Sequence, residues 1–277
     1  MKITLVFYGI PRCTNVCAPA IEERLLKPLR SQGDVSVVYH LWKIDRVKSA
    51  RSGEDAALAH DAYTWFEQFE GVVEPPEAFE QGEAFNSWKQ FGDEFRDDFG
   101  SLRNLMHQLQ SLKRATALAR RTAPDVVVFA RPDLLYHDEI PRSACRLVTR
   151  FPSFCVVPHW NWWAGFNDRF AICGRQAFEA YGNRVDRAFE FGQATHRPIH
   201  SESLVKFALR RGGVNTLAIP LKASRVRADG SIRQENFNAL ETSTLWRGRR
   251  DSLDRLRFRL TRQLSRLAFR DAAWQDG

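Results

Sequence analysis

The sequence predicts an α/β domain whose mostly parallel sheet is flanked by helices, followed by a basic amphipathic helix. Three observations predict it. A strand over 2–8, a helix over 16–31 and a strand over 35–42 place strand, helix and strand within about 40 residues, and a parallel strand pair needs a crossover of that kind. A long helix over 101–121 then runs into the apolar strand Asp125–Ala130. Finally, a helix over 201–211 runs into a strand over 214–219.

The chain has 277 residues, 44% hydrophobic and 27% charged, enough for one domain with a sizeable core. No stretch approaches the ~18–20 apolar residues of a membrane span. The apolar N-terminal run ends at Gly9 without a small-residue cleavage site, so it reads as a first strand rather than a signal peptide. A cytoplasmic protein is expected. Five cysteines, an odd number with no Cys-x-x-Cys pair, read as reduced thiols. Of the formal charge of +8, a net +7 comes from 246–270, where nine arginines face Asp251 and Asp254. The body of the chain is therefore near neutral, which argues against a nucleic-acid partner.

Each element has its own signal. Ile3, Leu5, Val6 and Phe7 make the first strand, and Gly9-Ile10-Pro11-Arg12 turns it into the first helix. Gly33-Asp34 stops that helix. Residues 43–99 are rich in acids and aromatics and are expected as helices on one side of the sheet, with a mobile stretch near 71–83. Leu102, Leu105, Leu109 and Leu112 keep helical spacing until Pro124. Short strands are expected near 145–149, 153–157 and 168–173, and a helix starts at Gln176. The domain is expected to end near 222, with a polar loop region over 223–245.

Chemistry is sought beyond the carboxyl ends of the strands, where open α/β sheets bind ligands. Arg131-Pro132-Asp133 lies there: a carboxylate can hold a divalent metal, and an arginine can neutralise a phosphate directly. The turn at Gly9, Pro11 and Arg12 lets backbone approach a ligand and offers helix N–H groups to phosphate. Trp160, Trp162 and Trp163 with Asn167 read as a partly exposed wall on which sugar rings stack. Asp168 stands at the mouth of a strand as a base or hydroxyl-binding acid. Glu202 follows Ser201 in the first turn of a helix, where a dipole-stabilised carboxylate is the competing structural role.

Taken together, the sequence resembles bacterial polysaccharide and lipopolysaccharide glycosyltransferases with a GT-A-like fold. The resemblance is carried by Phe7–Arg12, Val38–Trp42, the helix bearing Gln110, Ser111 and Lys113, Ala130–Leu134, Phe166–Ala171 and His200–Glu202, in that order. It implies a catalytic domain over 1–222, with a nucleotide-sugar donor on about 1–140 and a saccharide or lipid-linked saccharide acceptor on about 141–222. Gly9, Pro11, Arg12, Lys113, Arg131 and Asp133 are then donor-binding, and Trp160, Trp162, Trp163 and Asn167 acceptor-binding. Arg131-Pro132-Asp133 is similar to the Asp-x-Asp metal motif but has Arg in its first position. Either Asp133 holds Mn²⁺ or Mg²⁺, or Arg131 substitutes for the metal. Glu202 resembles the acidic base of inverting enzymes, with Asp168 as the competitor. On this reading Asp133→Ala stops transfer and leaves the fold intact. Two other classes compete: a sulfotransferase using a phosphoadenosine sulfate donor, suggested by Gly9–Asn15, and a non-catalytic carbohydrate-binding protein.

In the tail, Leu253, Leu256, Leu260, Leu264 and Leu267 fall on one helical stripe, with Arg255, Arg259, Arg262, Arg266 and Arg270 opposite. That pattern predicts a helix lying on an anionic membrane surface, at the cytoplasmic face of the inner membrane. Packing of the stripe on the domain, or on a second copy in a homodimer, is the alternative.

Overall fold

A computed structural model describes residues 1–77, 82–238 and 252–270, apart from the side chains of 50 and 252–258. The expected fold class is the one observed: a mixed α/β fold with a largely parallel sheet between layers of helices. The central sheet has seven strands in the order β10-β8-β9-β6-β1-β2-β5. These are β1 Lys2–Gly9, β2 Asp34–Trp42, β5 Glu70–Glu74, β6 Val126–Ala130, β8 Phe154–Pro158, β9 Phe170–Gly174 and β10 Asn215–Ile219. All neighbours pair in parallel except β9, which is antiparallel to both β6 and β8.

Both faces of β1 are buried, which is why it reads as a continuous apolar run. Ile3, Leu5 and Phe7 pack with Cys17, Ile21 and Leu25 of the first helical segment. Val6 and Tyr8 pack on the other face with Leu112 and Ala115. The first helix runs from α1 Thr14–Ile21 through a π-helical turn over Glu22–Leu26 into α2 Lys27–Arg30. The second face is covered by α4 Gly100–Arg121, α6 Phe178–Gly182 and α8 Ser201–Arg211. Between them, α3 Glu83–Lys89 and α7 Ala188–Thr195 add Phe85, Trp88 and Phe191 to a satellite core under the first half of α4.

The chain leaves β1 for β2 on one side and returns through α4 to β6 on the other. β1 and β6 therefore flank a topological switch point, where connections depart in opposite directions and leave a crevice at the carboxyl ends.

Four sequence expectations are corrected. Residues expected as a strand near 145–149 form helix α5, Arg142–Arg150. Ala144, Cys145 and Val148 are buried while Arg142, Arg146 and Arg150 are exposed, a helical spacing hidden by the short apolar run. Segment 43–77 supplies strands as well as short helical turns: the hairpin β3 Arg46–Ser49 with β4 Glu54–Ala57, and the edge strand β5. The part of the expected mobile stretch over 78–81 lies outside the described residues. The expected polar loop after 222 begins instead with β11, Ala223–Arg225, antiparallel to β7, Leu134–Tyr136, and with a bridge from Val226 to Ile232.

The fourth concerns the tail helix, α9, Ser252–Ala268. It docks on β10 through Phe269 and Ser265, both without exposed surface, and the Ser265 hydroxyl accepts the Ala218 N–H at 2.9 Å. Leu260, Leu264 and Leu267 point outward, 47, 56 and 61% exposed. Arg262 and Arg266 are half-buried rather than fully solvated opposite the stripe. The calls on Leu253, Leu256 and Arg255 fall on side chains outside the described residues. Among the described residues no helix is long and apolar enough to cross a membrane.

Candidate functional site

A cavity of about 500 Å³ opens at the switch point. Tyr8 and Gly9 end β1 beneath it, Arg131 follows β6, and Asp168 precedes β9. Because β9 runs antiparallel, its start lies at the same edge of the sheet as the ends of its neighbours. The first half of α4 and the start of α8 complete the wall with Gln108, His200, Ser201 and Glu202. Gly9 has φ of +101°, a value other residues seldom adopt, and its N–H reaches the Ser111 hydroxyl at 2.8 Å. Ser111 also donates to the His40 carbonyl at 2.7 Å, so one buried hydroxyl ties α4 to the ends of β1 and β2.

Asp168 is fastened from below. Its backbone carbonyl accepts the Tyr8 and Tyr181 hydroxyls at 2.9 and 3.0 Å. Its carboxylate accepts Ser201 Oγ at 2.5 Å and Gln108 Nε2 at 3.2 Å. Burial alone would raise its pKa, but the charges of Arg169 and Arg131 and the Ser201 hydrogen bond outweigh it and hold the group at about 2. Asp168 is an anion throughout the physiological range.

Glu202 is its opposite. The side chain is buried in the cavity wall, and burial, reinforced by the negative charge of Asp168, pushes its pKa up to about 8. Here desolvation and like charge defeat the helix dipole, which is worth only ~0.3–1 kcal/mol at ordinary sites. His200 approaches Glu202 at 3.5 Å. Burial lowers the His200 pKa to about 4, so at neutral pH this contact joins two neutral groups rather than an ion pair. The loop before Asp168 is held against the start of α8: the Phe166 N–H donates to the Glu202 carbonyl at 2.9 Å. A Cβ on Gly165 would lie 1.8 Å from that same carbonyl, so glycine alone permits this approach. The two carboxylates thus share one rigid corner.

Asp133 is placed differently from the sequence expectation. It has no exposed surface and does not line the cavity. Its carboxylate accepts Arg12 Nη1 at 2.6 Å, Arg131 Nε at 2.8 Å and Arg131 Nη2 at 2.6 Å. Burial opposes ionisation, yet the two guanidinium groups hold the pKa well below the usual carboxylate range. Asp133 is the buried counter-ion that orients Arg12 and Arg131, both of which do line the cavity. A carboxylate saturated in this way does not fit the role of a ligand for Mn²⁺ or Mg²⁺. Among the described residues no group of three or more His, Cys, Asp or Glu side chains is arranged to hold a metal ion.

The acceptor wall is also corrected. Trp160 and Trp162 are 1 and 4% exposed. Their indole N–H groups donate to the carbonyls of Leu221 at 2.7 Å and Pro158 at 2.6 Å. Asn167 is fully buried, donating to the Trp160 carbonyl and accepting the Arg169 N–H, both at 2.9 Å. These residues build the loop that carries Asp168 instead of meeting a ligand. Trp163 is half-buried and outside the cavity wall. Pro11 is buried behind Arg12, and Lys113 faces solvent in an ion pair with Asp186 at 2.6 Å. Neither lines the cavity.

Among the cavity residues that sequence reading missed are Arg51, Gln108, Arg225 and Arg233. Gln108 bridges the site, accepting from Arg131 Nη1 at 3.3 Å while donating to Asp168. It lies one helical turn before Leu112, on a helix already read correctly, so its inward position was accessible from periodicity. Arg51 and Arg233 sit in polar segments that look like ordinary surface.

No family model and no curated protein matches the chain. Among solved structures, it is similar to mouse xyloside xylosyltransferase 1 in its apo form, with 8% identity and a TM-score of 0.43 over 79% of this chain and 85% of that one. It is also similar to core-mannan synthase A of Aspergillus fumigatus in an Mn/GDP form, with 7% identity and a TM-score of 0.46 over 80% of this chain and 73% of that one. Likenesses at this level say nothing about activity.

Proposed function

We propose that the protein is a GT-A-like glycosyltransferase that moves a sugar from a nucleotide-sugar donor to a saccharide acceptor in cell-surface glycan synthesis. The observation that carries this reading is the carboxylate pair in the switch-point cavity, one group ionised and one protonated at neutral pH, beside a wall of arginines. Group transfer from a diphosphate needs both parts. The acceptor oxygen bonds to the anomeric carbon while the carbon–oxygen bond to the diphosphate breaks, its electron pair leaving on the phosphate oxygen. The acceptor proton passes to the ionised form of Glu202, whose pKa of about 8 keeps that form accessible near working pH. Asp168 binds and orients sugar hydroxyls, because a carboxylate titrating at about 2 is a weak proton acceptor. Arginines stabilise the charge that develops on the departing diphosphate.

The sulfotransferase alternative draws on Gly9–Asn15, but only Gly9, Ile10 and Arg12 of that turn face the cavity. Thr14 is buried and spends its hydroxyl on the Ala62 carbonyl at 2.6 Å. The deciding experiment is thermal stabilisation of the full chain by UDP-, GDP-, CMP- and dTDP-linked sugars, with adenosine phosphosulfate in parallel. A donor at 100 times its dissociation constant is expected to add ~2.7 kcal/mol. Stabilisation by the phosphosulfate alone reverses the assignment, and silence from every sugar nucleotide removes it.

The exposed leucines of α9 support a place for the enzyme on an anionic membrane surface beside a lipid-linked acceptor. Leu260, Leu264 and Leu267 recur at helical spacing with Arg259 and Arg270 exposed around them. Each basic residue near such a surface contributes about 1 kcal/mol. Full-length protein is expected to float with vesicles containing anionic lipid at low salt, and a truncation ending at Thr244 is expected to stay behind. Equal flotation of both forms, or none, rules the surface helix out. A halving of mass on truncation assigns the stripe to a dimer instead.

A further inference from the structure

We propose that Arg51, Arg225 and Arg233 form a metal-independent site for the diphosphate of the donor, their guanidinium groups taking the charge that a divalent cation would otherwise neutralise. The identity of the ligand rests on the glycosyltransferase reading; the anion site itself does not.

Four arginines of the cavity already have a carboxylate. Arg12 and Arg131 hold Asp133, and Arg169 meets Glu235 at 3.1 Å. Arg46 is paired with Asp55 at 2.5 Å. Arg51, Arg225 and Arg233 line the same cavity, and among the described residues none of them has a carboxylate within ion-pair distance. Arg225 Nε is buried without a hydrogen-bond partner. A buried donor without a partner is costly, and an anion that accepts from it removes that cost.

The three come together through local structure. β11 ends at Arg225, and the chain turns back so that the Arg233 N–H donates to the Arg225 carbonyl at 2.8 Å. Arg51 reaches in from the turn between β3 and β4, its guanidinium 3.6 Å from the centre of the Phe95 ring. Arg51 and Arg233 are exposed, while Arg225 is half-buried. Burial and the charges of Arg169 and Arg131 lower the Arg225 pKa to about 9, so it remains a cation at neutral pH. The cavity wall partly desolvates the Arg51 guanidinium although the residue as a whole is exposed, which lowers its pKa; the charges of Glu202 and Asp168 oppose this and those of Arg233 and Arg169 add to it. The unpaired positive charge therefore lines the same cavity as the carboxylate pair. Guanidinium groups bind phosphoryl oxygens with paired, charge-assisted hydrogen bonds, the geometry a diphosphate offers. The Asp133 carboxylate that a metal would need is consumed by Arg12 and Arg131.

The test is calorimetric titration of the full chain with inorganic pyrophosphate and with UDP, GDP and dTDP, in excess EDTA. Arg51→Met, Arg225→Met, Arg233→Met and Arg225→Lys are compared with wild type, and glucuronate serves as a carboxylate control. Pyrophosphate or a nucleoside diphosphate is expected to bind without metal. Each Met variant is expected to weaken binding roughly tenfold or more, with partial recovery in Arg225→Lys. Arg51→Met changes an exposed residue, so its result stands even if Arg225→Met does not fold. Binding that appears only after Mn²⁺ or Mg²⁺ is added, that ignores Arg51→Met and Arg233→Met, or that prefers glucuronate overturns the proposal, as does no binding at all. Arginine-dependent pyrophosphate binding with no sugar nucleotide consumed leaves the anion site standing and removes the glycosyltransferase reading. Sugar transfer that requires a divalent metal does the reverse.

Discussion

Asp133→Ala is expected to unfold the protein or leave it barely stable, rather than yield a folded and inactive enzyme. The carboxylate has no exposed surface and binds two guanidinium groups through three hydrogen bonds. Removing it leaves Arg131 without its carboxylate partner and Arg12 with Glu54 alone, 3.3 Å from its Nε. Breaking a buried pair from one side typically costs ~3–5 kcal/mol, a large share of the ~5–15 kcal/mol that keeps a domain folded. The pH dependence has a definite sign. Because the folded pKa is depressed, the stabilisation is complete above the unfolded carboxylate value near ~3.9 and is lost as pH falls toward the folded value. Urea melts of wild type and variant at pH 7 measure the loss. A variant with wild-type stability and no activity restores the sequence expectation that Asp133 belongs to the reacting site.

Glu202→Gln is expected to separate catalysis from stability in opposite directions. Loss of a general base lowers turnover by about 10²–10⁴-fold, with little change in donor affinity. Wild-type activity is expected to rise about tenfold per pH unit below pH 8 and to level off above it, because only ionised Glu202 accepts a proton. For stability, a carboxyl whose folded pKa is raised contributes fully below its unfolded value of ~4.3. That contribution falls by about 1.4 kcal/mol per unit as pH rises toward 8. Gln has no charge to bury and escapes this decline. Melting temperatures of the two proteins should coincide near pH 4 and diverge in favour of the variant at pH 8–9. Normal turnover with a lower melting temperature at every pH would make Glu202 a structural anion of α8 instead.

Membrane recruitment, donor stabilisation and pyrophosphate binding test separate parts of the assignment. None of them depends on Asp133 or Glu202 being replaced.

Much of the scaffold was legible in the chain because its signals are local. β1, β2, β6 and β10 lie within a residue or two of where their apolar runs place them, and α8 spans Ser201–Arg211 as expected. Strands buried on both faces are continuous apolar runs, and helices with one buried face repeat every three or four residues. The sequence by itself therefore determined the alternation of strands and helices and the presence of Arg131, Asp168 and Glu202 at strand and helix ends, while the strand order and the switch point came from the fold. It did not determine what each does. Trp160, Trp162 and Asn167 look like a ligand wall until Leu221 and Pro158 supply the carbonyls that let them be buried. Asp133 looks like a metal ligand until Arg12, 121 residues away along the chain, saturates it. Asp168 and Glu202 are chemically similar side chains, 34 positions apart in sequence. Only the folded cavity separates them, to about 2 and about 8, by giving one arginines and a hydroxyl and the other burial beside a fixed negative charge. Desolvation and charge proximity are properties of three-dimensional neighbours, and Arg51 and Arg233 of the cavity wall come from segments whose sequence reads as plain surface.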